Sequence, residues 1–157
     1  MARQHFDSLD LKILEMLSDN ARKPFLEIAR ETGISGAAIH QRIQKLTASG
    51  VIMGFKTAIN PAAVGYQTCA YIGIILNDPT KFNEVVKRLE AIPEVVDCHF
   101  TTGTYDIFAK IYARNNAHLL QIIHNKLSLD LGRTETLISF KEVFKRPIPI
   151  IKDHGND

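Results

Sequence analysis

Between Ser35 and Lys45 the chain carries a run of hydrogen-bonding side chains with no carboxylate among them, and their types suit the edges and phosphates of duplex DNA. Ser35 offers a hydroxyl to a phosphate or a base, and Gly36 and Ala37 allow close backbone approach. His40 and Gln41 are long enough to reach base edges in a major groove, where glutamine pairs bidentately with adenine. Gln44 shares their face. Arg42 and Lys45 suit phosphates, contacts that orient a module on the duplex without specifying sequence. From Thr32 to Asn77 there is no Asp or Glu, whereas Arg42, Lys45 and Lys56 are present, so one locally positive surface stands on a chain of formal net charge +2. A phosphate backbone is attracted to such a surface. His40 reads equally well as a base contact or as a plain surface residue.

Those residues need a helix held by two others. Ile13, Leu14 and Leu17 share one face of a first helix, with Asp7 and Asp10 spaced as N-cap and first-turn acid. A break at 18–21 precedes Pro24, placed in a first helical turn, where its missing N–H costs nothing. Phe25, Ile28 and Ala29 form the buried stripe of a second helix that runs to about Glu31, and Gly33 is placed to end it in the left-handed conformation. Ser35 then caps a third helix, whose Ile39, Ile43 and Leu46 make one apolar face until Gly50 stops it. Two helices joined by a short Gly-containing turn, with a third closing the core, place the second of the pair across a major groove. Spacing alone also fits a plain three-helix core whose polar outer face needs no ligand.

After Gly50, residues 51–59 read as two short strands around Gly54, and Asn60-Pro61 with Gly65 marks a linker. The boundary falls near residue 60, giving a winged helix-turn-helix domain over 1–60 and a second domain over 61–157. The second reads as a strand at about 66–76, a helix at 79–91, strands at 95–102 and 105–113, a helix at 116–127 and a strand at 134–144. That βαββαβ order predicts a ferredoxin-like sandwich, a four-stranded antiparallel sheet with both helices on one face, and hence an α+β protein. The first strand is largely apolar on both faces, so its second face needs a cover.

Between the two middle strands, Thr102-Gly103-Thr104-Tyr105-Asp106 is the best candidate for a ligand loop. A free amino acid needs N–H donors for its carboxylate and an acceptor for its ammonium. Gly103 permits exposed amides, Asp106 can take the ammonium, and Thr102 and Thr104 offer hydroxyls. A tight hairpin accounts for Gly103 without any ligand, and both readings stand at this point.

Other classes are disfavoured. With 157 residues and 45% apolar composition the chain can bury a core. It lacks the run of roughly 20 apolar residues a membrane span needs, and residues 1–10 lack the apolar core of a signal peptide, so a cytoplasmic location is expected. Cys69 and Cys98 are expected to be buried small residues rather than a disulfide or zinc knuckle. His5, His40, His99, His118, His124 and His154 are scattered, and His118 and His124 lie on different helical faces. No H-E-x-x-H, P-loop, G-x-S-x-G or dinucleotide fingerprint occurs. Neither an enzyme nor a metal or cofactor site is expected.

Asp7…Asp10…Ile13-Leu14…Leu17…Asn20-Ala21-Arg22, Glu27-Ile28-Ala29…Gly33-Ile34-Ser35 and Ile39…Arg42-Ile43…Leu46…Gly50-Val51-Ile52 together resemble the Lrp/AsnC family of feast-or-famine transcription regulators. Asn60-Pro61…Gly65-Tyr66, 101–106 and Thr134-Glu135-Thr136 continue the resemblance through that family's amino-acid-sensing domain, so it covers nearly the whole chain in order. The resemblance implies binding to a pseudo-palindromic duplex, a homodimer joined sheet to sheet, and assembly into octameric rings. It implies an amino-acid effector at the 102–106 loop, Tyr105 included, with Thr134, Glu135 and Thr136 close by; Asn125 on the last helix is a further candidate. The run 101–105 with 71–76 is more similar to the asparagine-responsive branch than to the leucine-responsive one. The rival is a small-molecule sensor or assembly domain without DNA-binding activity.

Overall fold

A computed structural model describes residues 6–127 and 132–151. The chain divides into two compact units, Met1–Ala58 with Phe144–Asp157, and Ile59–Val143. His5 and His154 lie outside the described residues.

The first unit holds α1 (Ser8–Asp19), α2 (Phe25–Thr32) and α3 (Gly36–Ala48). Asp7 caps α1 in a reciprocal arrangement with Asp10, each side chain accepting from the other's backbone N–H. Pro24 stands one place earlier than its sequence suggests: it is the N-cap of α2, with φ −60° and ψ 136°. The ring fixes φ, and ψ is free to take the extended value a cap needs. Gly33 ends α2 at φ 73°, its N–H donating to the Ala29 carbonyl, a conformation in which a side chain would be strained. Ser35 caps α3, its hydroxyl oxygen accepting from the Ala38 N–H at 3.2 Å. Each helix contributes a fully buried isoleucine, Ile13, Ile28 and Ile39, to one core cluster that also holds Leu17, Ala29 and Ile43.

The two strands expected around Gly54 are not formed, and residues 51–60 carry no regular structure. Met53 is 95% exposed and Phe55 51%, so the segment buries little apolar surface. A lone two-stranded hairpin without such packing is marginal in water.

The second unit follows the expected βαββαβ order: β1 (Thr68–Leu76), α4 (Phe82–Glu90, after a 3₁₀ turn at Pro79–Lys81), β2 (Val95–Phe100), β3 (Ile107–Ala113), α5 (Asn116–Ile122) and β4 (Gly132–Ser139). The helix expected to run to 127 gives way at Ile123 to a wider π turn, Ile123–Leu127, which still buries Leu127. The final strand ends at Ser139 instead of continuing to 144. Beyond it Phe140 and Val143 are exposed, and the β1 register closes with Cys69 opposite Ser139.

The sheet order is β2-β3-β1-β4, and every pairing is antiparallel. Ala70, Ile72 and Ile74 on β1 stand opposite Ile111, Ala109 and Ile107 on β3. These side chains turn to the helices, where Val85, Leu89, Leu119 and Ile122 complete the core. The alternate residues, Tyr71, Phe108, Lys110 and Tyr112, face the other way. There the Tyr71 and Phe108 rings stack at 5.7 Å, and the Lys110 ammonium lies 5.2 Å from the Tyr112 ring centre. Cys69 is half-buried, but Cys98 is exposed, against expectation, because it lies on the edge strand β2, whose residues from Val96 onward are exposed.

Candidate nucleic-acid interface and ligand loop

The buried stripe of α3, Ile39, Ile43 and Leu46, fixes which residues it can show outward. Ala37, His40, Gln41, Gln44 and Lys45 are exposed. Ser35 is exposed too, with its oxygen already engaged as the cap. A Cβ at Gly36 would lie 3.2 Å from Cδ2 of Leu26, an exposed side chain that can move aside. His40 sets its ring edge-on to Phe25 at 6.1 Å, which gives it a packing role while leaving it exposed. A shallow depression of about 410 Å³ runs beside it, lined by Phe25, Ile43, Gln44, Thr47 and Ala48 as well.

The sequence places Arg42 with the phosphate contacts; the structure places it elsewhere. Its Nη1 donates to Asp7 Oδ2 and to Asp10 Oδ1, both at 2.7 Å. Two carboxylates already surround the guanidinium, so it adds no free positive charge to the outer face. The backbone N–H of Asp10 and then the Arg42 guanidinium hold the Asp7 carboxyl below the ordinary aspartate range. Lys23 is likewise paired with Glu31 at 2.6 Å. Lys45 and Lys56 are exposed and have no carboxylate partner among the described residues. Nothing local in the sequence signals the Arg42 bridge, since its partners stand 35 and 32 residues away.

In the second unit the 102–106 loop joins β2 to β3. Thr102, Gly103 and Thr104 are exposed at its tip, with Gly103 at φ 113°. The Asp106 N–H donates to the Ile74 carbonyl at 2.9 Å, and one oxygen of its carboxylate accepts from the Leu76 N–H at 2.8 Å. Asp106 therefore closes the end of β1, a use that nothing local in the sequence signals, and this oxygen is not free for an ammonium. Tyr105 lies flat against Gly73, where a Cβ would come within 2.5 Å of its ring, and its hydroxyl donates to Glu135 on β4. That hydrogen bond, with burial adding to it, holds the Tyr105 phenol above its ordinary range.

Of the residues expected to act together, the fold joins Tyr105 and Glu135 on the open face of the sheet. Thr134 and Thr136 pair with Ile74 and Ile72 and so point to the helical side. Asn125 is exposed on the π turn, in the helical layer on the other side of the sheet from Tyr105. The described residues contain no group of three or more His, Cys, Asp or Glu that could hold a metal, and no helix long and apolar enough to cross a membrane.

Two family descriptions match the chain: "Winged helix-turn-helix DNA-binding" over residues 6–53 and "Lrp/AsnC ligand binding domain" over residues 69–149. The regulatory protein AsnC of Haemophilus influenzae is 40% identical over 151 residues, covering 95% of this chain and 97% of that protein. AsnC of Escherichia coli K12 is 35% identical over 144 residues, covering 90% and 95%. The solved structure of E. coli AsnC superposes with a TM-score of 0.86 at 35% identity, over 92% of this chain and 99% of that one. A Neisseria meningitidis transcriptional regulator, solved as an L-Met complex, shares the fold at a TM-score of 0.87 and 19% identity, over 92% and 97% of the two chains.

Two outcomes follow from this geometry. Gly73→Ala forces the Tyr105 ring off the sheet. Because the ring can swing into solvent, the expected cost is at the low end of the range for an added methyl group, about 1 kcal/mol by urea unfolding. Absorbance titration should then show a phenol that ionises at lower pH than in the parent, since the Glu135 bond is lost. The Asp7 carboxyl is lower in the folded state than in the unfolded chain, so its contribution is complete above roughly pH 4 and is lost as pH falls through the lowered value. Asp7→Asn should flatten that acid limb of the first unit's stability, followed by circular dichroism.

Proposed function

Because the chain belongs to the Lrp/AsnC family, and is thus a DNA-binding transcriptional regulator with a ligand-binding domain, we propose that α3 reads base edges of a specific duplex and that the second domain senses a free amino acid. The domains are taken as 1–60 and 61–157. The observation that carries the DNA reading is the outer face of α3: Ala37, His40, Gln41, Gln44 and Lys45 stand exposed on one helix, with no carboxylate among them. Gln41 and Gln44 have the donors and acceptors for base edges, and Lys45 and Lys56 the charge for phosphates.

With Arg42 neutralised by Asp7 and Asp10, α3 itself offers one cation, Lys45, and counterion release through that helix is correspondingly small. Tight binding then needs two copies acting together on a pseudo-palindrome, joined through the uncovered face of the sheet. Leu137 is 48% exposed beside Tyr71 there, which supports a second copy as its cover; the resemblance to the family extends this to rings of dimers. For the effector, Glu135 takes the ammonium and the exposed amides at the tip, 102–104, take the carboxylate. Asp106 helps by its second oxygen only, and Thr134, Thr136 and Asn125 recede from the site. The L-Met complex of the Neisseria regulator is a free amino acid held by a protein of this fold.

Gln41→Ala should relax sequence preference by about 1–3 kcal/mol at one base pair, whereas Lys45→Ala should weaken binding to every duplex and lower the salt slope by about 1 per copy. Binding that is flat in ionic strength, or absent, supports instead a sensor that does not engage DNA. Thermal melting with each of the twenty amino acids tests the second domain: a ligand of the native state must raise the melting temperature. If none does while DNA binding persists, the Gly103 loop is only a turn.

A further inference from the structure

The N-terminus of α1 and the middle of α3 share one network. Asp7 Oδ1 and Asp10 Oδ2 accept the two capping bonds, at 2.7 and 3.3 Å, and the remaining oxygens, Asp7 Oδ2 and Asp10 Oδ1, both accept from Arg42 Nη1 at 2.7 Å. All four carboxylate oxygens thus have a donor. The Asp10 side chain is only 16% exposed, so this end of the bridge is anchored against the helical core. Contacts among Ile13, Ile28 and Ile39 restrict the roll of a helix through packing alone, which tolerates small rotations. A guanidinium held by two carboxylates does not. Side chains reach roughly 5–6 Å from a helix axis, so a roll of about 10° moves their outer atoms by about 1 Å, more than the window of a hydrogen bond to a base edge tolerates.

We propose that Arg42 is a positioning residue: through its bridge to Asp7 and Asp10 it fixes the roll of α3, and with it the aim of Gln41 and Gln44 at the bases, without itself holding a phosphate. The proposal rests on the reading of α3 as the base-reading element. It reverses a simple electrostatic expectation. Asp10 is an acid bound to that helix, and deleting its charge should by simple electrostatics strengthen binding to DNA; the bridge makes its deletion harmful.

The test uses the full chain and two duplexes, one selected from a random pool by the parent protein and one of random sequence, each titrated at several salt concentrations. Arg42→Gln and Asp10→Asn should each lower the ratio of selected to random affinity about tenfold, the size of one lost base-edge readout. Both should leave the salt slope at the parent value, and the double variant should be no worse than either. Lys45→Gln should lower the slope by about 1 per copy, and Arg42→Lys should recover part of the ratio. A slope lowered by Arg42→Gln as it is by Lys45→Gln, or tighter binding of both duplexes by Asp10→Asn, overturns the proposal. So does an equal loss on both duplexes that disappears on cooling, which assigns Arg42 to stability alone. If Arg42→Gln does not fold, Asp10→Asn decides, because asparagine keeps an oxygen for the cap. A parent protein that binds neither duplex overturns the reading of α3, and the role of Arg42 in it.

Discussion

Each unit of this chain has apolar surface enough to bury one side of its elements, and one-sided burial governs what the remaining sides can do. Ile13, Ile28 and Ile39 meet inside three short helices, which leaves the outer face of α3 to polar residues. In the second unit Ala70, Ile72 and Ile74 with Ile107 and Ile111 turn to the helices, and strand geometry then sends Tyr71, Phe108, Lys110 and Tyr112 to the opposite side. One face of each unit makes the fold. The other is available for contact with something else.

Much of this was legible because it follows from local periodicity. The apolar stripes give the three helices of the first unit their faces, Gly33 and Ser35 mark the turn between α2 and α3, and the succession of strand and helix segments gives the βαββαβ order of the second unit. What escaped the sequence depends on partners distant along the chain. The strands around Gly54 have the right composition, but among the described residues nothing pairs with them. The bridge from Arg42 to Asp7 and Asp10 and the bond from the Leu76 N–H to Asp106 join residues about thirty positions apart, beyond any periodicity. In both cases a charged group whose type suits a ligand is taken up by the chain itself. The register of β4 likewise separates Glu135 from Thr134 and Thr136, three neighbours in sequence that a strand must divide between two faces.

The distribution of charge has the same economy. Acids are absent from 32 to 77, yet the first unit uses Asp7 and Asp10 to neutralise Arg42 and Glu31 to hold Lys23. Arg22, Arg30, Lys45 and Lys56 remain exposed outside these pairs.

The aromatic side of the sheet has an optical consequence. The chain has no tryptophan and four tyrosines, and three of these, Tyr71, Tyr105 and Tyr112, belong to the open side of the sheet. Its ultraviolet emission therefore comes mainly from that one surface, with the Tyr105 phenol in contact with a carboxylate that quenches it. Events at that surface are recorded in the protein's own light, without a label, and those at α3 are silent.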